Sequence, residues 1–252
     1  MSNDPLPILL RALRLPTMAE AYDQAIVSAE AENWGYRRFL THLAEAETSE
    51  RLSRKVERML TGSGLPPGKS FQTLDPNKWP EKVRRQLPTL LEADFVRRGD
   101  TICAFGLPGR GKSSFVAALA REWILRHQLR VLFIPTFKLV GQLLAAKKDH
   151  KLNAALAKLQ RFDAVCLDEL GYTQQSTEEG DILFQFLAER YEKKTVVITS
   201  NLVFSQWDKI FHNPMTAMAA ADRLVHHGAI LEFTNESLRT PKGPRSSDTK
   251  AG

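Results

Sequence analysis

The residues in this chain whose types and spacing most clearly define a chemistry lie at 106 to 114: Gly106, Leu107, Pro108, Gly109, Arg110, Gly111, Lys112, Ser113 and Ser114. The first eight fit the spacing GxxxxGKS. Glycines at those positions let the backbone curl so that successive amide hydrogens point inward at phosphate oxygens. Lys112 then reaches the outer phosphates, and Ser113 offers its hydroxyl to a Mg²⁺ ion bridging them. A glycine-rich turn matches this pattern by chance unless a strand precedes it and a helix follows. Here the apolar run TICAF comes before and the helical run SSFVAALAREWILR comes after, so the segment reads as a nucleoside triphosphate site.

Two further groups belong to the same chemistry. The run AVCLDEL delivers Asp168 and Glu169 at the carboxyl end of a buried strand, where ligands gather in open α/β sheets. Asp168 is placed to hold the magnesium, and Glu169 to orient and deprotonate an attacking water, which separates a hydrolase from a protein that only binds nucleotide. The run VVITSN ends a strand at Thr199, Ser200 and Asn201, polar groups within reach of a γ-phosphate, with Asn201 the preferred sensor. Read as a local feature, Asn201 would instead cap the next helix. Arg223, beside Asp222 in TAMAAADRLVHHGAI, reads either as a surface ion-pair member or as an arginine finger completing a neighbouring subunit's site. His226 and His227 have no carboxylate or Cys at metal-ligand spacing and receive no role.

The elements that must position these groups follow from hydrophobic period. Short strand-like runs at 101–105, 131–135, 164–167, 195–199 and 229–233 alternate with helix-length amphipathic runs, which predicts a parallel sheet with crossover helices. The first 60 residues are rich in Ala, Leu, Glu and Arg, with apolar residues at helical spacing from Phe39 to Leu60. Within them Arg51, Arg54, Lys55 and Arg58 recur three or four apart and line one stripe, either a solvated face or a phosphate-contacting one. The Gly- and Pro-rich stretch GSGLPPGKSFQTLDP breaks the helical pattern. This divides the chain into a small N-terminal helical domain at 1–65, a linker and adapter segment at 66–98, an ATPase domain at 99–235 and a flexible polar tail at 236–252.

Composition is compatible with this reading. The 252 residues are 43% hydrophobic with a net charge of +6, which suits an anionic partner without requiring one. Cys103 and Cys166 sit inside apolar runs and read as buried thiols of a reduced, cytoplasmic protein, and no apolar run approaches the length that spans a bilayer.

Beyond the phosphate loop, the blocks LRLPTMAEAY, ETSERLSRKVERML, LDELGY, LFQFLAERYEKKTVVITSN, FSQWDKIF and DRLVHHGAILEF run in order along the chain. With them the sequence resembles the IstB family of insertion-sequence transposition helpers, AAA+ ATPases related to the DnaC helicase loaders and DnaA initiators. The resemblance implies a three-layer AAA+ domain with a five-stranded sheet ordered 5-1-4-3-2. It also implies that Asp168 and Glu169 are the second nucleotide motif, Asn201 the first sensor and Arg223 the trans-acting finger. Proteins of this kind bind ATP and Mg²⁺, form homo-oligomers on double-stranded DNA with little sequence preference, and direct a cognate transposase to the target. Basic residues of the N-terminal helices, with Lys147, Lys148 and Lys151, are then expected to face the DNA. Two departures stand out: Arg110 and Ser114 replace the Thr and His common in relatives, and FTNESLR follows the last strand where many carry Gly and Tyr. Arg110 is expected to add a cation near the phosphates, and Arg239 is a candidate second sensor. A helicase loader acting through protein contacts is the main competing reading. A small-molecule kinase lacks an acceptor-binding constellation, and a GTPase lacks the NKxD run, because Asn77-Lys78 precedes the loop. A non-hydrolysing scaffold is opposed by Glu169.

Overall fold

The computed structural model describes residues 4–172, 176–226 and 228–238, so Arg239 and His227 lie outside the described residues. The chain divides into two compact units, Met1–Arg58 and Met59–Gly252, with the division inside a long helix.

The first unit contains helices α1 (Leu6–Ala12) and α2 (Pro16–Ala31) and most of α3 (Tyr36–Gly62). Proline opens α2, and no side chain of the preceding residue caps it. Its exposed amide hydrogens are satisfied from α3: Glu47 accepts from Thr17 N at 2.8 Å and Met18 N at 3.0 Å. Burial alone would raise the Glu47 carboxyl, but those two amides and Arg51 hold it below its usual range. Tyr22, Ala25 and Leu43 form the small core, whereas Leu40 and Leu52 of the same predicted apolar stripe are exposed.

The second unit carries the sheet. After the end of α3 come a 3₁₀ turn (Pro76–Lys78), α4 (Glu81–Leu91) and α5 (Asp94–Arg98). Alternating elements follow: β1 (Thr101–Phe105), α6 (Lys112–His127), β2 (Val131–Pro135), α7 (Thr136–Lys148), α8 (Leu152–Leu159), β3 (Ala164–Leu170), α9 (Thr177–Arg190) and β4 (Thr195–Ser200). A 3₁₀ turn (Phe204–Gln206), α10 (Asp208–Phe211), α11 (Pro214–Val225) and β5 (Gly228–Glu232) complete it. The five strands are parallel and ordered β2-β3-β4-β1-β5, the expected topology. β3 runs three residues beyond its expected end, and the runs containing Cys103 and Cys166 are buried on both faces. Burial pushes both thiols up, so neither is a thiolate. The free edge of β2 is covered where Phe133 N donates to Ser63 O at 2.7 Å.

At the amino ends of the strands a buried guanidinium ties three segments together. Arg190 donates to the carbonyls of Leu159, Phe162 and Thr195 at 2.8, 3.1 and 2.9 Å. Burial pulls its pKa down to about 10, against the opposing pull of Asp163, so it stays charged at neutral pH. Arg190→Met, which keeps the stem and removes the donors, should leave three carbonyls unsatisfied and cost about 3 kcal/mol or more in urea denaturation.

Candidate nucleotide site

The phosphate loop leaves β1 at Gly106 and enters α6 at Lys112. Three of its residues hold positive φ, Gly106 at 148°, Gly109 at 83° and Gly111 at 93°, conformations that a side chain would strain. At Gly106 space also decides, since a Cβ would lie 2.5 Å from the Phe233 carbonyl oxygen. Lys112 is folded over the loop, donating from Nζ to the carbonyls of Gly106 at 2.5 Å and Leu107 at 3.0 Å. Ser113 and Ser114 occupy the first turn of α6.

The acidic pair is separated by an unusual backbone. Glu169 has φ of 59°, and the pairing of β3 with β4 shifts register between Leu167 and Leu170. A left-handed Glu costs about 1 to 2 kcal/mol, and the Thr199 side chain compensates. Its hydroxyl accepts from Glu169 N at 2.9 Å and donates to Asp168 Oδ1 at 2.5 Å. Thr136 adds a bond to the Asp168 carbonyl at 2.9 Å. Thr199 and Ser200, read as possible phosphate contacts, both line the cavity, and their hydroxyls are engaged in the sheet: Thr199 holds the acidic pair, and Ser200 donates to Leu170 O at 2.8 Å, because a buried hydroxyl beside a kinked strand is drawn to its unpaired groups. Asn201, one residue on, lines the cavity.

That cavity, about 620 Å³, brings together Gly109, Gly111, Lys112, Ser113, Glu169 and Asn201. Part of its wall carries residues to which the sequence assigned no role: Lys69, Thr73, Asp75 and Trp79 come from the adapter segment. Buried Trp79 stacks edge-on to Phe115 of α6, with ring centres 5.1 Å apart, and Asp75 caps the 3₁₀ turn through Asn77 N at 3.0 Å. A tryptophan soon after Asp-Pro, in the stretch read as a linker and adapter segment, was the available signal.

Arg110 departs from expectation. Its guanidinium does not join the cavity; Nη1 donates to Phe233 O at 3.1 Å. Arg223 lies at the opposite end of the strands from the loop, near Gly99, Thr101 and Tyr191. It packs over the Phe184 ring at 4.6 Å, with Nη1 buried and unpartnered among the described residues. It therefore does not serve its own chain's loop, and no ion pair to Asp222 is formed among the described residues.

For the basic residues, the first unit has an open groove lined by Arg11, Arg14, Arg51, Arg54, Lys55 and Arg58. Arg51 is engaged by Glu47 at 2.8 Å and by the Arg14 carbonyl, and Arg54 by Glu50 at 2.8 Å. Arg58 donates to the Arg54 carbonyl at 3.3 Å. Lys147 pairs with Glu178 at 3.0 Å, and Lys148 and Lys151 are exposed nearby.

A magnesium ion suits the donors present. The Ser113 hydroxyl and Asp168 carboxylate are hard oxygen ligands, and no cluster of three His, Cys, Asp or Glu occurs among the described residues. An ion that keeps waters and shares phosphate oxygens fits such a pair. No helix among the described residues is long and apolar enough to cross a membrane.

Known proteins share this arrangement. Among solved structures the DnaC helicase loader has a TM-score of 0.58 at 16% identity, covering 66% of this chain and 97% of that one, a likeness of fold. An insertion sequence ATP-binding protein of Sinorhizobium fredii (strain NBRC 101917 / NGR234) is 38% identical over 235 residues, 93% of this chain and 78% of that protein. Another, from Geobacillus stearothermophilus, is 34% identical over 227 residues, 90% of each. The model of the IstB-like ATP binding protein family matches residues 8–246, and the chain belongs to that family.

Proposed function

We propose that this protein is an ATP-dependent helper of transposition. In this reading it binds ATP with Mg²⁺, assembles as a homo-oligomer on double-stranded DNA largely irrespective of sequence, and recruits or activates a cognate transposase. ATP hydrolysis then resets the complex. The observation that carries the chemistry is the convergence of the loop, Glu169 and Asn201 on one cavity, with Asp168 fixed beside it by Thr199. The names of the Sinorhizobium and Geobacillus relatives, which tie those proteins to insertion sequences, support the biological setting.

Each residue has a role in that cavity. Lys112 exchanges the Gly106 and Leu107 carbonyls for phosphate oxygens, which are stronger partners for an ammonium. Ser113 and Asp168 hold the magnesium, which when bound withdraws charge from the β- and γ-phosphates. Glu169, turned into the cavity by its left-handed backbone, takes the proton of the attacking water. Asn201 orients that water or the γ-phosphate. Arg223, remote from its own loop, serves a neighbour's nucleotide after leaving its seat on Phe184. ATP then acts as an assembly signal. A helicase loader is the second reading, supported by the fold likeness to DnaC, and capture of a replicative helicase without any DNA-dependent assembly would favour it.

Particle mass and ATP turnover, measured with and without duplex DNA in ATP, ADP and a non-hydrolysable analogue, test the proposal directly. DNA- and ATP-dependent oligomers are expected, whereas an ATPase indifferent to DNA contradicts it. Glu169→Gln should retain ATP and the DNA-bound oligomer while turnover falls roughly 10²- to 10⁴-fold; normal turnover would assign the base elsewhere. Arg223→Ala should be inactive alone, yet mixing it with Glu169→Gln should restore turnover if the finger acts between subunits. Replacing Arg54 and Lys55 together by Ala should weaken DNA binding for all sequences and reduce the slope of log K against log salt by about 2. Unchanged affinity and slope would remove these two residues from the interface.

A further inference from the structure

The carbonyls of the phosphate loop raise a question that the nucleotide chemistry does not answer. A loop that aims its amide hydrogens at a ligand turns its carbonyl oxygens outward, and these need partners of their own. Lys112 takes those of Gly106 and Leu107. Those of Gly109 and Arg110 are taken from a distant part of the chain. Gly109 O accepts from Leu238 N at 2.8 Å, and Arg110 O accepts from Asn235 Nδ2 at 3.2 Å. The contact is reciprocal, since Arg110 Nη1 donates back to Phe233 O at 3.1 Å. Phe233 N in turn donates to Phe105 O at 2.7 Å, so the segment starts as a continuation of the β5 ladder.

We propose that residues 233–238 are a strap that holds the phosphate loop in its nucleotide-ready conformation, with Arg110 and Asn235 as positioning residues. This rests on the nucleotide-binding reading and assigns a function to the two departures from the family pattern, Arg110 and the segment after β5, as parts of one latch. The Asn235 amide donates to both Arg110 O and Glu236 O, at 3.2 and 2.9 Å, while its Oδ1 is buried with no partner among the described residues. The side chain is therefore held through its nitrogen. The strap also touches the cavity, because Leu238 lines it and lies where a Cβ on Gly111 would come within 2.8 Å. When Lys112 turns to phosphate, the Gly109 and Arg110 carbonyls keep their partners, and the cradle does not have to be rebuilt around the ligand. Because affinity scales with the fraction of molecules holding the competent loop, loss of the latch weakens binding without altering the bound complex. By linkage, a bound nucleotide must stabilise the strap to the same degree that the strap stabilises binding.

The test measures binding of a non-hydrolysable ATP analogue and steady-state turnover for the full chain and for Arg110→Ala, Asn235→Ala, Asn235→Asp and Arg110→Lys. Each alanine variant should weaken binding and raise KM about fivefold, the loss of one hydrogen bond, with kcat unchanged at saturation. Asn235→Asp, which sets a carboxylate against two carbonyl oxygens, should be weaker still, and Arg110→Lys should recover most of the affinity. The double alanine variant should fall short of the product of the singles, since either alone loosens the same strap. Hydrogen exchange on the unmodified chain gives an independent readout: the analogue should slow exchange across 233–238 together with the loop. Variants that bind as tightly as the parent, or an analogue that protects the loop but leaves 233–238 unchanged, would overturn the strap. If the parent chain binds no nucleotide, the ATP reading itself fails and the strap falls with it.

Discussion

One hydroxyl group holds the acidic half of the site in shape. Thr199 Oγ1 receives the amide hydrogen of Glu169 and gives its own hydrogen to Asp168. By doing so it makes a left-handed glutamate tolerable at the end of a parallel strand. Two hydrogen bonds, one to a carboxylate, are worth about 2 to 4 kcal/mol together, enough to offset the backbone cost of about 1 to 2 kcal/mol. The consequence is chemical. In a regular strand successive side chains alternate between faces, but the turn at Glu169 brings its carboxylate into the cavity while Asp168 stays against β4. Thr199 on the neighbouring strand thus anchors both members of the acidic pair.

That arrangement depends on β4 lying between β3 and β1, which the order β2-β3-β4-β1-β5 ensures. The same order leaves β1, with its loop, beside β5, so the chain leaving β5 passes close to the loop's outer side. The cavity thus has three suppliers: the central strands, the adapter segment carrying Trp79, and the residues that follow the sheet. The amino ends of the strands are governed by a different constraint. Buried Arg190 gathers three carbonyls there, and Arg223 sits nearby over Phe184, at the far end of the strands from its own loop. A single chain therefore carries its nucleotide cradle and Arg223 at opposite ends of the strands, which is what the proposed shared site requires.

Much of this was legible because it is local. Loop glycines are dictated by backbone conformation, the strands by continuous apolar runs, and the acidic pair by its place at a strand end. The expected strand limits differ from the observed ones by at most a few residues, and the largest error, at β3, falls where the Glu169 turn interrupts the ladder. Where the reading missed, the deciding partner was distant in sequence. Thr199 reads as a possible phosphate contact, but its bonds to Asp168 and Glu169 across the sheet are not legible in the sequence. Lys69, Thr73 and Asp75 looked like linker until Trp79 was seen packed on Phe115. The stripe of Arg51 reads as either a solvated or a phosphate-contacting face, and the sequence does not show that Arg51 is braced by Glu47 and by the carbonyl of Arg14.

Arg110 shows the division between the two sources of information most clearly. The sequence by itself determined that a phosphate loop of defined spacing stands between a strand and a helix, and that an acidic pair ends a later strand, because period and motif spacing act over a few residues. It also placed a cation inside the loop. Only the tertiary structure decided where that cation points, because its partner, the Phe233 carbonyl, lies 123 residues further along the chain. Side-chain direction is set by whichever unsatisfied group the fold brings within reach. Here the parallel crossover to β5 brings a backbone carbonyl to Arg110 and so turns its guanidinium away from the nucleotide cavity.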